Sequence, residues 1–182
     1  VNYLKIVEAV PRNTAAAIAF AALAVDENDI LIVTPSDHLI EDMEAYQDAM
    51  KRAIDLAKND FIVTFGVQPT RPETGYGYIE HKGDKVISFR EKPNHITAQD
   101  FIEQGNFLWN SGMFIWKSQF ILDELKKFER EIYEKSMIAW EAAVNGELDE
   151  VLSMDIPSNS IDYAVMERSK KIKVVPAKFI WN

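Results

Sequence analysis

The sequence predicts an α/β fold, with a mostly parallel central sheet, helices on both faces and a small extra pair of strands. Three observations lead there. The runs ILIVT (30–34) and FIVTFGV (61–67) have the unbroken apolar character of strands covered on both faces. Segments of helical spacing alternate with them. After Gly66 the chain turns rich in proline and glycine, QPTRPETGYGYIEHKGDKVISFREKPN, with short alternating stretches that read as a separate strand pair.

Each element follows in order. TAAAIAFAALAV (14–25) is apolar nearly all round and rich in alanine, which suits a helix buried against a sheet, with Asn13 or Thr14 as its cap. ILIVT is the first strand. MEAYQDAMKRAIDLAK (43–58) sets Ala45, Met50, Ala53, Ile54 and Leu56 among charged residues at helical spacing. FIVTFGV is the next strand, and YGYIEH and KVISFR pair through the turn KGD. A helix over 97–105, a strand LWNSGMFIW (108–116) and helices over 118–129 and 131–144 come next. SIDYAVMERS (160–169) reads as a short helix and KIKVVPAKFIW as a closing strand. With no internal repeat and no linker, the 182 residues are expected to form one domain.

Acidic residues outnumber basic ones, 29 to 20, and the net charge of -9 repels a nucleic-acid backbone. A nucleic-acid partner is therefore not expected. Small phosphorylated ligands stay open, because a local set of Lys, Arg and backbone N–H groups can dominate a pocket whatever the total charge. No apolar run approaches the roughly 18 residues of a membrane span. The absence of cysteine excludes disulfides, thiolate metal sites and a cysteine nucleophile, and points to the cytoplasm.

Four stretches carry candidate chemistry. In an open α/β sheet, ligands bind beyond the carboxyl ends of the strands, which is where Asp37 of TPSDH falls. A carboxylate there can hold a hard cation such as Mg²⁺; alternatively Ser36 or Asp37 caps the next helix, and His38 is a packed residue. In REKPN (90–94), Lys92 can meet a phosphate and Glu91 can accept from sugar hydroxyls, unless the cluster is a solvated turn. Gly77 of TGYGYI allows a ligand close to the backbone or relieves a bend, and WNSGMF repeats the theme with Asn110 and Gly112. In VEAVPRNTAAA, Glu8, Arg12, Asn13 and Thr14 precede a helix whose N-terminus favours anions, and Glu8 suits a base edge with two N–H donors, such as guanine's. Plain capping beside a surface glutamate is the other reading.

Taken in order, EAVPRNTAAA, LIVTPSDHLI, FGVQPTRPETGYGYIE, FREKPN, WNSGMFIW, SIDYAVMERS and VVPAKFIWN resemble bacterial mannose-1-phosphate guanylyltransferases, the sugar-nucleotide pyrophosphorylases that make GDP-mannose. The resemblance spans essentially the whole chain. It implies a Rossmann-like nucleotidyltransferase domain over 1–182, Mg²⁺ on Asp37, and a sugar phosphate held by Glu91 and Lys92. It also implies that Gly77, Asn110 and Gly112 line the sugar pocket and that Glu8, Arg12, Asn13 and Thr14 lie by the nucleotide base, with Asp162 in a further family motif. GTP and mannose 1-phosphate are the implied substrates, and a homo-oligomer is left open. Since the attacking phosphate oxygen is already ionised, positioning and charge neutralisation replace a general base, and no serine, histidine and aspartate triad is expected.

The chain departs from the family pattern in three places. Its seven glycines are spread singly, so the glycine-rich loop that wraps a triphosphate is absent. It ends at Asn182, before an aspartate that shares the metal in the family, and Ala9 stands where proline is common. The expectation is a domain incomplete at both ends and nearly inactive as it stands. The alternatives are an enzyme of the same fold using another sugar phosphate or nucleotide, and a catalytically silent binding domain. A uracil reader would favour a glutamine over Glu8, because it must both donate and accept.

Overall fold

The computed structural model describes residues 4–179, and they form two compact units interleaved along the chain. One unit comprises the segment ending at Asp29 together with Ser118–Arg168; the other comprises Ile30–Lys117 and the segment from Ser169 onward.

The first unit is helical. Its elements are α1 (Asn13–Leu23), α4 (Ser118–Phe128), α5 (Arg130–Glu141) and α6 (Glu150–Met154), closed by a wide π-helical turn at Asp162–Met166. The alanine-rich α1 buries Ala15, Ala16, Ile18, Ala19, Phe20 and Ala22, as its nearly uniform apolarity predicts. Small side chains let it lie close against α4 and α5. Sequence periodicity misses α6, whose five residues are too few to show a period; Asp149 caps it by accepting from the Leu152 N–H at 2.9 Å.

The second unit holds a single six-stranded sheet with α2 (Met43–Ala57) and α3 (His95–Gln104). Its strands are β1 (Ile30–Val33), β2 (Ile62–Val67), β3 (Tyr78–Lys82), β4 (Lys85–Arg90), β5 (Phe107–Lys117) and β6 (Ile172–Pro176). The later part of the expected closing strand, Ile180 and Trp181, lies outside the described residues. On one face, Ala53 and Ala57 of α2 pack on Val63, Phe65, Met113, Ile115, Val175 and Phe179. The alternate residues Ile62, Thr64, Trp116 and Val174 are also buried, so the central strands are covered on both faces.

The sheet is mixed, which corrects the expectation of a mostly parallel one. Among the described strands of this sheet only β2 and β6 pair in parallel, Ile62 with Ile172 through Gly66 with Pro176; the β1–β5, β2–β5, β3–β4, β3–β5 and β4–β6 pairings are antiparallel. The connection β1–α2–β2 gives two strands running the same way, but β5 is inserted between them and runs against both. Continuous apolarity reports burial on both faces and is blind to strand direction. β5 is long enough to pair with β1 near Trp116, with β2 near Trp109 and with β3 near Leu108. The pairings β5–β2–β6–β4–β3–β5 thus return on themselves as a small barrel, sealed between β4 and β6 by Lys85 opposite Lys173 and by the Val174 N–H donating to the Asp84 carbonyl at 2.8 Å. The expectation for β1 also needs correcting. Among the described residues its one partner is β5, and Ile32 is 45% exposed, because the strand is an edge and not an interior member.

Candidate functional site

Strand register brings three of the expected sugar-site residues together. Tyr78 stands opposite Arg90 in the β3–β4 pair and opposite Trp109 in the β3–β5 pair. One step further along, Gly77 therefore faces Glu91 on one side and Asn110 on the other. The Asn110 N–H donates to the Gly77 carbonyl at 2.8 Å. A Cβ placed on Gly77 would lie 2.5 Å from Glu91 Oε2 and 3.4 Å from Asn110 Cβ. Gly77 is buried, so this is a close approach and not relief of an exposed bend.

The stretch Asn110–Met113 is a bulge in β5. Gly66 pairs with Asn110 and Thr64 with Phe114, so Ser111, Gly112 and Met113 are all set against the single residue Phe65. Gly112 makes this possible with φ 72°. Asn110 Oδ1 accepts from the Gly112 N–H at 3.3 Å and lies 3.0 Å from the Thr64 hydroxyl. The bulge also abuts the TPSDH turn, since a Cβ on Gly112 would lie 3.6 Å from Pro35 Cγ and 3.9 Å from His38 Cε1. His38 beside it is part-buried.

Asp37 is exposed on that turn. Its competing assignment as a helix cap falls away, because Asp42 caps α2 by accepting from the Ala45 N–H at 3.0 Å. Among the described residues no three His, Asp or Glu side chains gather into a metal cage. A single exposed carboxylate of hard oxygen donors still fits Mg²⁺, which is commonly held by one or two carboxylates with substrate phosphates completing its shell.

The REKPN turn is not simply a solvated one. Glu91 has a side chain only 10% exposed, against 60% for Lys92, whose Nζ stands 3.3 Å from Glu91 Oε1. Lys92 has φ 44°, a left-handed conformation that costs a non-glycine residue about 1–2 kcal/mol and persists only where its surroundings hold it. The preceding loop is fixed as well: Glu73 Oε1 accepts from the Gly75 N–H at 3.1 Å, the Tyr78 hydroxyl donates to the Glu73 carbonyl at 2.9 Å, and the Arg71 guanidinium lies over the Trp109 ring. The Gly75 N–H, with Arg71 in support, holds the Glu73 carboxyl below its ordinary value.

The base-edge residues lie in the helical unit. Glu8 is half-buried, and its Oε1 is buried with no hydrogen-bond partner among the described residues. Burial raises its pKa, partly offset by the Arg12 backbone N–H. The start of α1 is tied to the chain before Asp162. Arg12 Nε donates to the Ile156 carbonyl, Ala15 N–H to the Asn159 carbonyl at 3.2 Å, and Ile161 N–H to the Thr14 hydroxyl at 2.9 Å. This bond brings Thr14 to the residue adjoining Asp162, which opens the π turn with its carbonyl accepting from the Glu167 N–H at 2.9 Å. Asn13 is left-handed, φ 69°, and its side chain accepts from the Thr14 N–H at 2.8 Å. The Thr14 and Ala15 N–H groups at the start of α1 are therefore engaged within the protein.

Sequence reading missed Thr64, the fully buried hydroxyl behind Asn110. Its signal was visible as the one polar side chain in FIVTFGV. Arg71 and Glu73, which brace the loop before Gly77, gave no comparable signal.

The profile of the nucleotidyl transferase family matches residues 1–153. The alginate biosynthesis protein AlgA of Pseudomonas aeruginosa is 41% identical over 94% of this chain and 39% of its own length. A mannose-1-phosphate guanylyltransferase of Escherichia coli is 40% identical over 97% of this chain and 41% of its own. The chain thus spans about two fifths of the length of these relatives. Among solved structures, a Helicobacter pylori protein described as mannose-6-phosphate isomerase superposes with TM-score 0.93 at 44% identity, over 97% of this chain and 74% of that one. A Thermus thermophilus protein described as mannose-1-phosphate geranyltransferase gives 0.83 at 32% identity, over 97% and 53%. By profile, relatives and fold alike, the chain belongs to the nucleotidyl transferase family.

Proposed function

We propose that this chain carries the sugar and base recognition of a mannose-1-phosphate guanylyltransferase, which transfers GMP from GTP to mannose 1-phosphate and releases pyrophosphate. The observation that carries the reading is the meeting of Gly77, Glu91 and Asn110 through strand register, with Lys92 beside them. Relatives that bear this name at about 40% identity support it.

In this reading Glu91 accepts hydrogen bonds from hexose hydroxyls, and Gly77 gives the ring room against the backbone. Asn110 and Gly112 line the sugar pocket. Lys92 meets the sugar phosphate and offsets the repulsion between it and the triphosphate. Glu8 accepts from the two N–H donors of guanine. Arg12, Asn13 and Thr14 shape the segment that carries Glu8 and tie it to the turn of Asp162. A phosphate oxygen of mannose 1-phosphate forms the new bond to the α-phosphorus of GTP, and the bridging bond to the β-phosphate breaks. That oxygen is ionised near neutral pH, so these side chains act by binding and orientation. Mg²⁺ held through Asp37 and substrate phosphates would supply charge neutralisation at the reacting phosphate.

The seven glycines are spread singly and form no phosphate-wrapping loop, so the 182 residues alone are expected to turn over poorly. The test is pyrophosphate release by the full protein, with GTP and mannose 1-phosphate compared with UTP or dTTP and glucose 1-phosphate. Release confined to the first pair supports the proposal. Faster release with UTP or dTTP sinks the guanine assignment, and tight binding with no release marks a silent binding domain.

A further inference from the structure

Thr64 lies in the middle of β2 and is fully buried. Its hydroxyl oxygen is 3.0 Å from Asn110 Oδ1 and 2.9 Å from the Met113 carbonyl, at the two ends of the β5 bulge. An asparagine amide has two nearly isosteric ends, one accepting and one donating, and its neighbours decide which end points where. Here the Gly112 N–H can only donate, so the atom it meets at 3.3 Å is the oxygen. The Thr64 hydroxyl carries one proton and sits between that oxygen and the Met113 carbonyl, so it is the donor that the two ends of the bulge share.

Building on the sugar-site reading above, we infer that Thr64 is a positioning residue for sugar-phosphate recognition: it locks the Asn110 side chain in one orientation and clamps the bulge that presents it. Nothing in packing requires a hydroxyl at this point. Valine has the same shape, and its neighbours Ile62, Val63 and Phe65 are apolar. Without the hydroxyl, Asn110 Oδ1 keeps the Gly112 N–H at 3.3 Å but loses the Thr64 donor, and the Met113 carbonyl loses its share of that donor.

The test compares Thr64→Val, Thr64→Ser and Asn110→Ala in the full protein. Thr64→Val is expected to raise KM for the sugar 1-phosphate about tenfold, the effect of one lost hydrogen bond of about 1.4 kcal/mol, with KM for the nucleotide unchanged. Thr64→Ser keeps the hydroxyl and restores the wild-type KM. Thr64→Val added to Asn110→Ala produces no further rise. If Thr64→Val does not fold, Thr64→Ala set against Thr64→Ser carries the same contrast. An unchanged sugar KM in the hydroxyl-less variant overturns the inference when Asn110→Ala raises it, as does a parallel rise in both KM values. Should Asn110→Ala leave the sugar KM untouched, the sugar-site reading itself fails. A crystal structure of Thr64→Val decides the positioning separately: an Asn110 side chain left as it is overturns it, and a turned one supports it.

Discussion

Gly77 and Glu91 face each other so closely across the β3–β4 pair that a single added methyl group on Gly77 would lie 2.5 Å from a carboxylate oxygen. Glu91 is mostly buried and has little freedom to retreat. Gly77→Ala is therefore expected to displace the Glu91 carboxylate and to weaken sugar-phosphate binding by at least about tenfold, with nucleotide affinity intact. Calorimetric titration with each ligand checks this; equal loss of both ligands would mean that the sheet itself had been disturbed.

Lys92 offers a test that separates charge from backbone strain. Lys92→Ala and Lys92→Gly both remove the ammonium, and each should lower kcat/KM by about 100-fold or more. Only glycine is comfortable at φ 44°, so Lys92→Gly should be the more stable of the two by about 1 kcal/mol in urea unfolding. Alanine proving the more stable would show that the backbone there is unstrained.

The two aspartates near α2 should part company. Asp37 is exposed and does not cap α2, so Asp37→Ala is expected to abolish Mg²⁺-dependent turnover while leaving the thermal midpoint in place. Asp42 holds the Ala45 N–H, so Asp42→Ala should cost about 1 kcal/mol of stability and spare turnover. Normal nucleotide transfer by the Asp37 variant would refute the metal role.

Glu8 predicts a dependence on pH. Burial lifts its pKa above the ordinary 4.5, so the protonated form favours the folded state. That contribution to stability is complete below the ordinary value and drains away as pH rises through the folded one. Guanine recognition runs the other way, because only the carboxylate accepts two N–H donors. GTP affinity should fall on acidification at a higher pH than an ordinary glutamate would give, and Glu8→Gln should weaken binding and remove this step. A step that persists in Glu8→Gln would assign it to another group.

Much of this was readable beforehand. The long apolar or amphipathic segments α1, α2, α4 and α5 and the strands β2 and β5 fall where periodicity puts them, because burial writes itself into residue spacing. Strand direction did not, since β5 is buried on both faces although its pairings are antiparallel. The candidate residues were visible locally, Asp37 and Asn110 as polar breaks in apolar runs, Glu91 and Lys92 as a charge cluster after a strand and Glu8 ahead of a helix start. Their meeting was not, because it depends on Tyr78 standing opposite both Arg90 and Trp109, a register that no local pattern encodes.

The barrel has a consequence for how the chain is made. Its parallel pair joins Ile62 to Ile172, with the helices α4, α5 and α6 threaded between them. A nascent chain leaving the ribosome can finish the β3–β4 hairpin early, yet β2 lacks its parallel partner until Ile172 has emerged. Stalled synthesis before Lys171 would leave a sticky, half-built sheet for chaperones to guard.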